Sequence, residues 1–181
     1  MKYNNSWLTD KYNAGESMKF LFFWGHQPSK DESISKTCFS QWWQAPFTIE
    51  GFSYPTAEHW MMASKAKLFG DLPILEKILK ASSPAEVKEL GRKVKNFEPE
   101  LWEMHKYNIV VEGNLQKFAQ HPALKTFLLN TGERILVEAS PVDTVWGIGI
   151  PADHSQINNP LSWRGENLLG YALMEVRDKL K

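Results

Sequence analysis

Cysteine is nearly absent from this chain of 181 residues, and neither sign of charge is in excess. The single cysteine, Cys38, excludes an intrachain disulfide and a thiolate metal cluster. Lysine plus arginine and aspartate plus glutamate both number 21, so there is no basic surplus for extended contact with nucleic-acid phosphates. A pocket for one nucleotide or one small phosphorylated molecule is compatible with this composition.

Long apolar runs are missing as well. No segment is long enough to cross a bilayer, and residues 1–12 lack the apolar core of a signal peptide. We therefore expect a cytoplasmic protein with no membrane contact. The five histidines lack metal-ligand spacing, and no His-Glu-x-x-His motif occurs. The sequence predicts no metal site and no cofactor, and it indicates no particular oligomeric state.

Tryptophan, in contrast, is abundant. Eight tryptophans occur, and most of them precede residue 103. Because tryptophan combines a large apolar ring with an N–H that needs a partner, clusters of it often line pockets or interfaces. A tryptophan-rich core is the plainer explanation for any one of them.

The order of apolar and punctuating residues predicts an α+β fold, mostly helical with a small sheet. Residues 1–18 are polar and are expected to form a loosely packed arm, followed by a single domain over residues 19–181. Strands are predicted at 20–24 and 134–138, and a hairpin at 47–54 that turns at Glu50-Gly51. Helices are predicted from Thr56, from Asp71 to Lys80, after the capping box at 83–86, from residue 99, from residue 122 and over 167–180. Residues 139–166 form a long irregular stretch, which is more often functional than idle.

An unusual set of side chains follows Thr56. Helical spacing places Glu58, Met61 or Met62, and Lys65 along one face, where a core-facing helix would carry only apolar residues. The plainer explanations are a glutamate that caps the helix dipole and a solvated surface lysine. Aromatic residues favour a functional interpretation, because stacked rings beside an acid suit a flat heterocyclic base. The aromatic residues concerned are Phe22, Phe23, Trp24, Trp42, Trp43 and Phe47.

A second set lies in the irregular stretch. Residues 147–152 match the pattern Gly-x-Gly-x-x-Ala of dinucleotide-binding proteins. Pro151 lies within the match and no helix pattern follows it, so we reject that interpretation. Paired glycines allow a ligand to approach the backbone closely, or simply form a tight turn. The helix that starts at Asn167 could hold a phosphate at its N-terminus, although capping by Asn167 is the simpler account. Arg92 could bind phosphate or be an ordinary surface arginine.

Taken in order, these motifs resemble the NADAR/YbiA-like superfamily from about residue 20 to residue 180. The segments that carry the resemblance are Pro55-Thr56-Ala57-Glu58-His59-Trp60 with Lys65, Gly91-Arg92, Asp143-x-x-Trp146-Gly147-x-Gly149, and Asn167-x-Leu169-Gly170-x-x-Leu173-Met174.

The resemblance implies an N-glycosidase. Members cleave the base from ribosylamino-pyrimidine phosphates of riboflavin biosynthesis or remove ADP-ribose from guanine in nucleic acid. The family's glutamate and lysine correspond to Glu58 and Lys65, and its Trp-Gly loop to Trp146, Gly147 and Gly149. Some riboflavin-pathway members read Trp-Gly-Asp-Gly, whereas Ile148 stands at the acid's place here. Any role of that acid would fall to Asp143 or be absent, which weakens the transfer of their particular substrate.

Cleavage of an N-glycosidic bond builds positive charge on the anomeric carbon, so the site needs an anion, a way to neutralise the departing base and a sequestered water. Glu58 would stabilise the cation, activate water or act as a general acid, and Lys65 would form a Schiff base or hold a phosphate. Two other classes stay open: a module that binds ADP-ribose or a nucleotide without cleaving it, and a partner-binding protein with tryptophans at an interface. The predicted partner is a small phosphorylated ribosyl or nucleotide substrate, or ADP-ribosylated nucleic acid. The predicted catalytic residues are Glu58, Lys65 and Asp143, and the predicted substrate-binding residues are Trp24, Trp42, Trp43, His59, Arg92, Trp146, Gly147, Gly149 and Asn167.

Overall fold

The computed structural model describes residues 1–31 and 33–181. In these residues the chain forms seven α-helices and two two-stranded sheets, which confirms the predicted α+β class. None of the helices in these ranges is both long and apolar enough to reach across a membrane. The helices are α1 (Asn5–Asn13), α2 (Ala57–Leu68), α3 (Leu72–Lys80), α4 (Pro84–Arg92), α5 (Pro99–Gln120), α6 (Pro122–Leu129) and α7 (Leu168–Leu180). The strands are β1 (Phe20–Phe23), β2 (Phe47–Ile49), β3 (Phe52–Tyr54) and β4 (Ile135–Glu138).

The chain folds into two compact units. Unit 1 contains Met1–Ser40 and Pro122–Lys181, and unit 2 contains Gln41–His121. The predicted division into an arm over residues 1–18 and one domain over residues 19–181 stays a prediction.

Unit 1 is built on a parallel pair of strands. β1 pairs with β4, with Phe20 opposite Ile135 and Phe23 opposite Glu138. Helix α7 packs against β4, in which Leu136 and Val137 are fully buried. Because parallel strands need a long crossover connection, this pair joins segments that are far apart in the chain.

The N-terminal segment differs from the loose packing expected for it. Residues 5–13 form α1, whose first turn is capped by the side chain of Asn4, which accepts a hydrogen bond from the Trp7 N–H at 2.8 Å. Leu8 is fully buried, and the Tyr3 hydroxyl donates to Asp178 on α7 at 2.7 Å. A polar segment can pack in this way because one apolar side chain and a few hydrogen bonds are enough to attach it.

Unit 2 consists of the hairpin followed by four helices. β2 and β3 pair antiparallel around Glu50 and Gly51, whose positive φ angles of 51° and 81° are those of a type I′ turn. Helix α2 packs against α3, α4 and α5. It is therefore the central helix of this unit, and most of its residues are buried.

The predicted helix starts are confirmed. The side chain of Asp71 accepts from the Ile74 N–H at 3.2 Å, and the Ser83 hydroxyl accepts from the Glu86 N–H at 3.2 Å. Glu86 in turn accepts from the N–H of Ser82, one residue before the donor of a standard capping box. Helices α4, α5 and α6 all begin with proline, whose missing N–H costs nothing at the first helical position.

Candidate active site

The first turn of α2 carries a buried carboxylate. Thr56 caps this helix through a hydrogen bond of 3.4 Å from the His59 N–H to its hydroxyl. Glu58 follows two residues later and is only 3 % exposed, and its own N–H donates to the carbonyl of Gln41 at 3.0 Å. Glu58 therefore lies at the positive end of the helix dipole, where an anion is stabilised.

Lys65 lies in the last turn of the same helix and has a different environment. Its ammonium donates to the carbonyl of Gly91 at 2.9 Å, near the C-terminus of α4. It also lies 4.3 Å from the ring centroid of Phe97 and 5.4 Å from that of Trp102. Burial lowers the pKa of the Lys65 ammonium, which increases the fraction of free amine at a given pH.

The two predicted catalytic side chains of α2 thus lie at opposite ends of the helix. Lys65 is seven positions after Glu58, which places their Cα atoms about 10 Å apart along the axis, because each residue of an α-helix rises 1.5 Å. Spacing alone put them on one face, but it could not foresee that the Lys65 amine would bind the end of α4.

His59, a predicted substrate-binding residue, is buried with both ring nitrogens in use. Its Nδ1 lies 2.8 Å from the Thr56 hydroxyl and its Nε2 lies 3.3 Å from the Ala81 carbonyl. A carbonyl can only accept, so Nε2 carries the proton and Nδ1 accepts from the hydroxyl. Burial lowers the pKa of His59, opposed in part by the bond to Ala81. In this arrangement the imidazole connects the start of α2 to the chain after α3.

The other predicted residues of unit 2 lie nearer the surface. Trp42 and Trp43 are both half-buried, and the Lys88 ammonium lies 5.8 Å from the ring centroid of Trp42. Arg92 is exposed at the end of α4 and pairs with Glu89 at 2.5 Å. That pair is the arrangement of an ordinary surface arginine, although an exposed pair is easily exchanged for an anionic ligand.

Unit 1 holds the Trp-Gly loop, which Asp143 organises. Its Oδ1 accepts from the N–H groups of Val145 at 2.9 Å and Trp146 at 2.8 Å. Asp143 is half-buried, and Trp146 is half-buried as well. Ile148, which stands at the place of the family's acid, is fully buried and bonds through its N–H to the Glu138 carbonyl. Asp143 is therefore the acid of this loop, and one of its oxygens is used to shape it.

The two glycines of this loop are required by its geometry. A Cβ at Gly147 would lie 2.8 Å from the Glu138 carbonyl oxygen, closer than real Cβ contacts. Gly149 has a φ of 68°, a conformation that other residues adopt only under strain. Both glycines are thus explained by packing and backbone shape, whatever they also contribute to a ligand.

Two further predicted residues of unit 1 have contrasting positions. Asn167 is fully buried, and the expected side-chain cap on α7 is wrong, because Asn167 bonds β4 instead. Its Oδ1 accepts from the Glu138 N–H and its Nδ2 donates to the Leu136 carbonyl, both at 3.0 Å. Its own φ of 54° places the backbone in the left-handed region. Trp24, directly after β1, is 56 % exposed and available for a contact.

Sequence reasoning missed a set of buried polar residues in unit 2. Asn114 and Lys117 are both 0 % exposed on α5, and Gln41 is buried close to the start of α2. The signal was present, since Asn114 and Lys117 lie four and seven residues after Val110, within an apolar helical stripe. Across residues 1–31 and 33–181, no group of three or more His, Cys, Asp or Glu side chains is placed to hold a metal ion.

A family model, two relatives with similar sequences and one solved structure match this chain. A family model described as the NADAR domain matches residues 22–181. The chain is 44 % identical to N-glycosidase R617 of Acanthamoeba polyphaga mimivirus over 170 residues, 91 % of this chain and 98 % of that protein. It is 34 % identical to N-glycosidase YbiA of Escherichia coli strain K12 over 142 residues, 78 % of each. The NMR structure of E. coli YbiA matches with a TM-score of 0.71 and 31 % identity, covering 90 % of this chain and 84 % of that chain.

Proposed function

The chain belongs to the NADAR domain family, and from that premise we propose that it cleaves the bond between the anomeric carbon of a ribose and a nitrogenous base. It is an enzyme, a hydrolase that acts on N-glycosyl bonds, as its relatives named N-glycosidase are. We propose that the ribose is phosphorylated or part of ADP-ribose. ADP-ribosylated guanine and a ribosylamino-pyrimidine phosphate are the two substrates to test first.

The buried carboxylate of Glu58 is the observation that supports this function best. As the base departs with the bonding electrons, the anomeric carbon becomes cationic, and a carboxylate beside it lowers the energy of that state. Glu58 is also suited to accept a proton from the attacking water. A carboxylate that is 3 % exposed is screened little by solvent, so both effects are stronger than they would be at the surface.

Aromatic rings would hold the departing base. Trp42 and Trp43 precede Glu58 in unit 2 and are half-buried, so part of each residue is accessible. Stacking of a base on an aromatic ring contributes about 1–3 kcal/mol, which is enough to orient it. Further substrate contacts that we propose are Trp24, Trp146, Gly147, Gly149 and, for a phosphate, Arg92. His59 and Asn167 also stay proposed contacts. Their side chains already form hydrogen bonds within the protein, which limits the hydrogen bonds that they can form with the substrate.

We keep Lys65 and Asp143 as the other proposed catalytic residues. The lowered pKa of Lys65 supports a role as a nucleophilic amine, whereas its hydrogen bond to Gly91 means that the amine must first leave that carbonyl. Asp143 keeps one carboxylate oxygen outside its two bonds to the loop backbone. In the alternative without a covalent step, the Lys65 ammonium binds a phosphate or the leaving group.

A parallel assay tests the proposal. The protein is incubated with ADP-ribosylated guanine in DNA, with a ribosylamino-pyrimidine phosphate and with NAD, and the released base and sugar are followed by mass spectrometry. The neutral composition favours a small nucleotide over a duplex, and Ile148 disfavours the riboflavin intermediate. We expect release of base from at least one substrate by the wild type, and almost none by Glu58→Gln. Calorimetric binding of ADP-ribose without any cleavage would instead identify a non-catalytic binding module.

A further inference from the structure

Four buried polar side chains lie at one end of the pair formed by α2 and α5. Helix α5 packs against α2 in the opposite direction, because Lys65 lies over Trp102 early in α5, whereas Trp60 donates to the carbonyl of Ile109, about two turns later in α5. The last turns of α5 therefore lie at the amino end of α2, where Glu58 is. The four buried side chains are those of Gln41, Glu58, Asn114 and Lys117.

The orientation of the Asn114 amide is determined by its partners. Its Nδ2 donates to the Val110 carbonyl at 2.9 Å and to Oε1 of Gln41 at 2.7 Å. Because a backbone carbonyl can only accept, the atom facing Val110 must be the nitrogen, and the other amide atom is the oxygen. The backbone carbonyl of Gln41 accepts from the Glu58 N–H, so Asn114 is connected to Glu58 through a single residue.

The remaining amide atom, Oδ1 of Asn114, is buried and has no hydrogen-bond partner. Native proteins retain few such atoms, because the acceptor has given up its hydrogen bonds to water and gained nothing in return. A leucine would fill nearly the same volume without that cost. This fixed oxygen belongs to a residue that Gln41 links to the proposed catalytic Glu58, and it is therefore better explained by a donor that arrives with the substrate.

We propose that Oδ1 of Asn114 accepts a hydrogen bond from a hydroxyl of the substrate's ribose, making Asn114 a specificity residue for ribose over deoxyribose. This rests on the proposed N-glycosidase function. The ligand group must be a donor, which excludes a phosphate oxygen or a base carbonyl. A ribose carries one hydroxyl on the carbon next to its anomeric carbon and a second on the following carbon, and the anomeric carbon is the atom that Glu58 would face. A site that is built to bond a hydroxyl discriminates strongly against the analogue that lacks it.

A double-mutant cycle tests the inference. Wild type and Asn114→Leu are assayed with the ADP-ribosylated guanine or the ribosylamino-pyrimidine phosphate, whichever the wild type cleaves, and with its 2′-deoxy and 3′-deoxy forms. We expect the wild type to lose about 10- to 100-fold in kcat/KM when one hydroxyl is removed, and Asn114→Leu to lose less than about threefold. The cycle cancels the intrinsic reactivity of the deoxy sugars. Asn108 is an exposed asparagine of the same helix, and the control variant Asn108→Leu should behave as wild type.

Each outcome decides the inference. Equal losses in wild type and Asn114→Leu would overturn it. So would a wild type whose kcat/KM, divided by the uncatalysed hydrolysis rate of the same compound, is as high for both deoxy forms as for the ribosyl form, a comparison that needs no variant. If Asn114→Leu does not fold, Asn114→Ala enters the same cycle. A wild type that cleaves none of the ribosyl substrates would overturn the proposed function and this inference together, whereas cleavage without coupling would overturn only the assignment of Asn114.

Discussion

The two ends of α2 use charged residues in different ways. At the amino end, the buried Glu58 lies with the polar side chains of Gln41, Asn114 and Lys117, and one acceptor among them has no partner. At the carboxyl end, the Lys65 ammonium is bound to a carbonyl and covered by two aromatic rings. The amino end is costly to bury, which supports our proposal that it meets the substrate. The carboxyl end contributes to the fold in the absence of any ligand.

The largest effect is expected at Glu58. Glu58→Gln keeps the size of the side chain but removes the charge, so we expect turnover to fall roughly a hundred- to ten-thousand-fold with little change in melting temperature. Glu86→Gln is the matched control, because Glu86 also lies in the first turn of a helix but is exposed. Near-normal turnover by Glu58→Gln on a confirmed substrate would contradict the assignment of the amino end.

Lys65→Ala should change two measurements at once. We expect turnover to fall on the order of a hundredfold, and the free energy of unfolding to fall by about 1–2 kcal/mol because the bond to Gly91 and the contacts with Phe97 and Trp102 are lost. Urea unfolding and steady-state kinetics measure the two effects separately. Lys67→Ala, an exposed lysine of the same turn, is the control. A loss of stability with normal turnover would make Lys65 structural and remove it from the site.

Lys117→Met tests whether the end of α5 takes part in the site at the amino end of α2. Met retains most of the apolar stem but removes the ammonium from the buried polar set around Glu58, so we expect kcat/KM to fall roughly 10- to 100-fold, the usual size of the loss of one interaction with a charged group. Lys106→Met is the control, since Lys106 is also buried on α5 but pairs with the exposed Glu103. Circular dichroism verifies that both variants are folded. Equal activity of the two variants would exclude the end of α5 from the site.

The smallest effect concerns pH and His59. Burial holds the pKa of His59 below its ordinary value of 6.5, so below pH 6.5 the unfolded chain takes up a proton before the folded one does. Stability should therefore fall as the pH drops through 6.5 towards the folded-state pKa, and then change no further from this source. Urea unfolding at about pH 7.5 and about pH 5 should show a smaller difference for His59→Gln than for wild type. His105→Gln, at an exposed histidine, should leave the difference unchanged.

Much of the local structure could be predicted because its causes are local. Asp71 and Ser83 cap the helices that they were expected to cap, and Glu50-Gly51 turns the hairpin, because each needs only atoms within three residues. Residues 1–18 were expected to pack loosely, whereas part of this segment forms the attached helix α1. The residues that hold the segment in place, Gly165 and Asp178, are distant in sequence. Composition contains no information on such partners.

The sequence by itself determined the α+β class, the helix starts, the family resemblance and the prominence of Glu58 and Lys65. Only the tertiary structure decided what those residues touch. It bound Lys65 to Gly91, turned Asn167 from a helix cap into a bridge to β4, and linked Asn114, with its unpaired oxygen, to Glu58 through Gln41. The physical reason is that spacing along a helix determines which side chains lie on the same face, whereas the partners of those side chains come from other helices and strands.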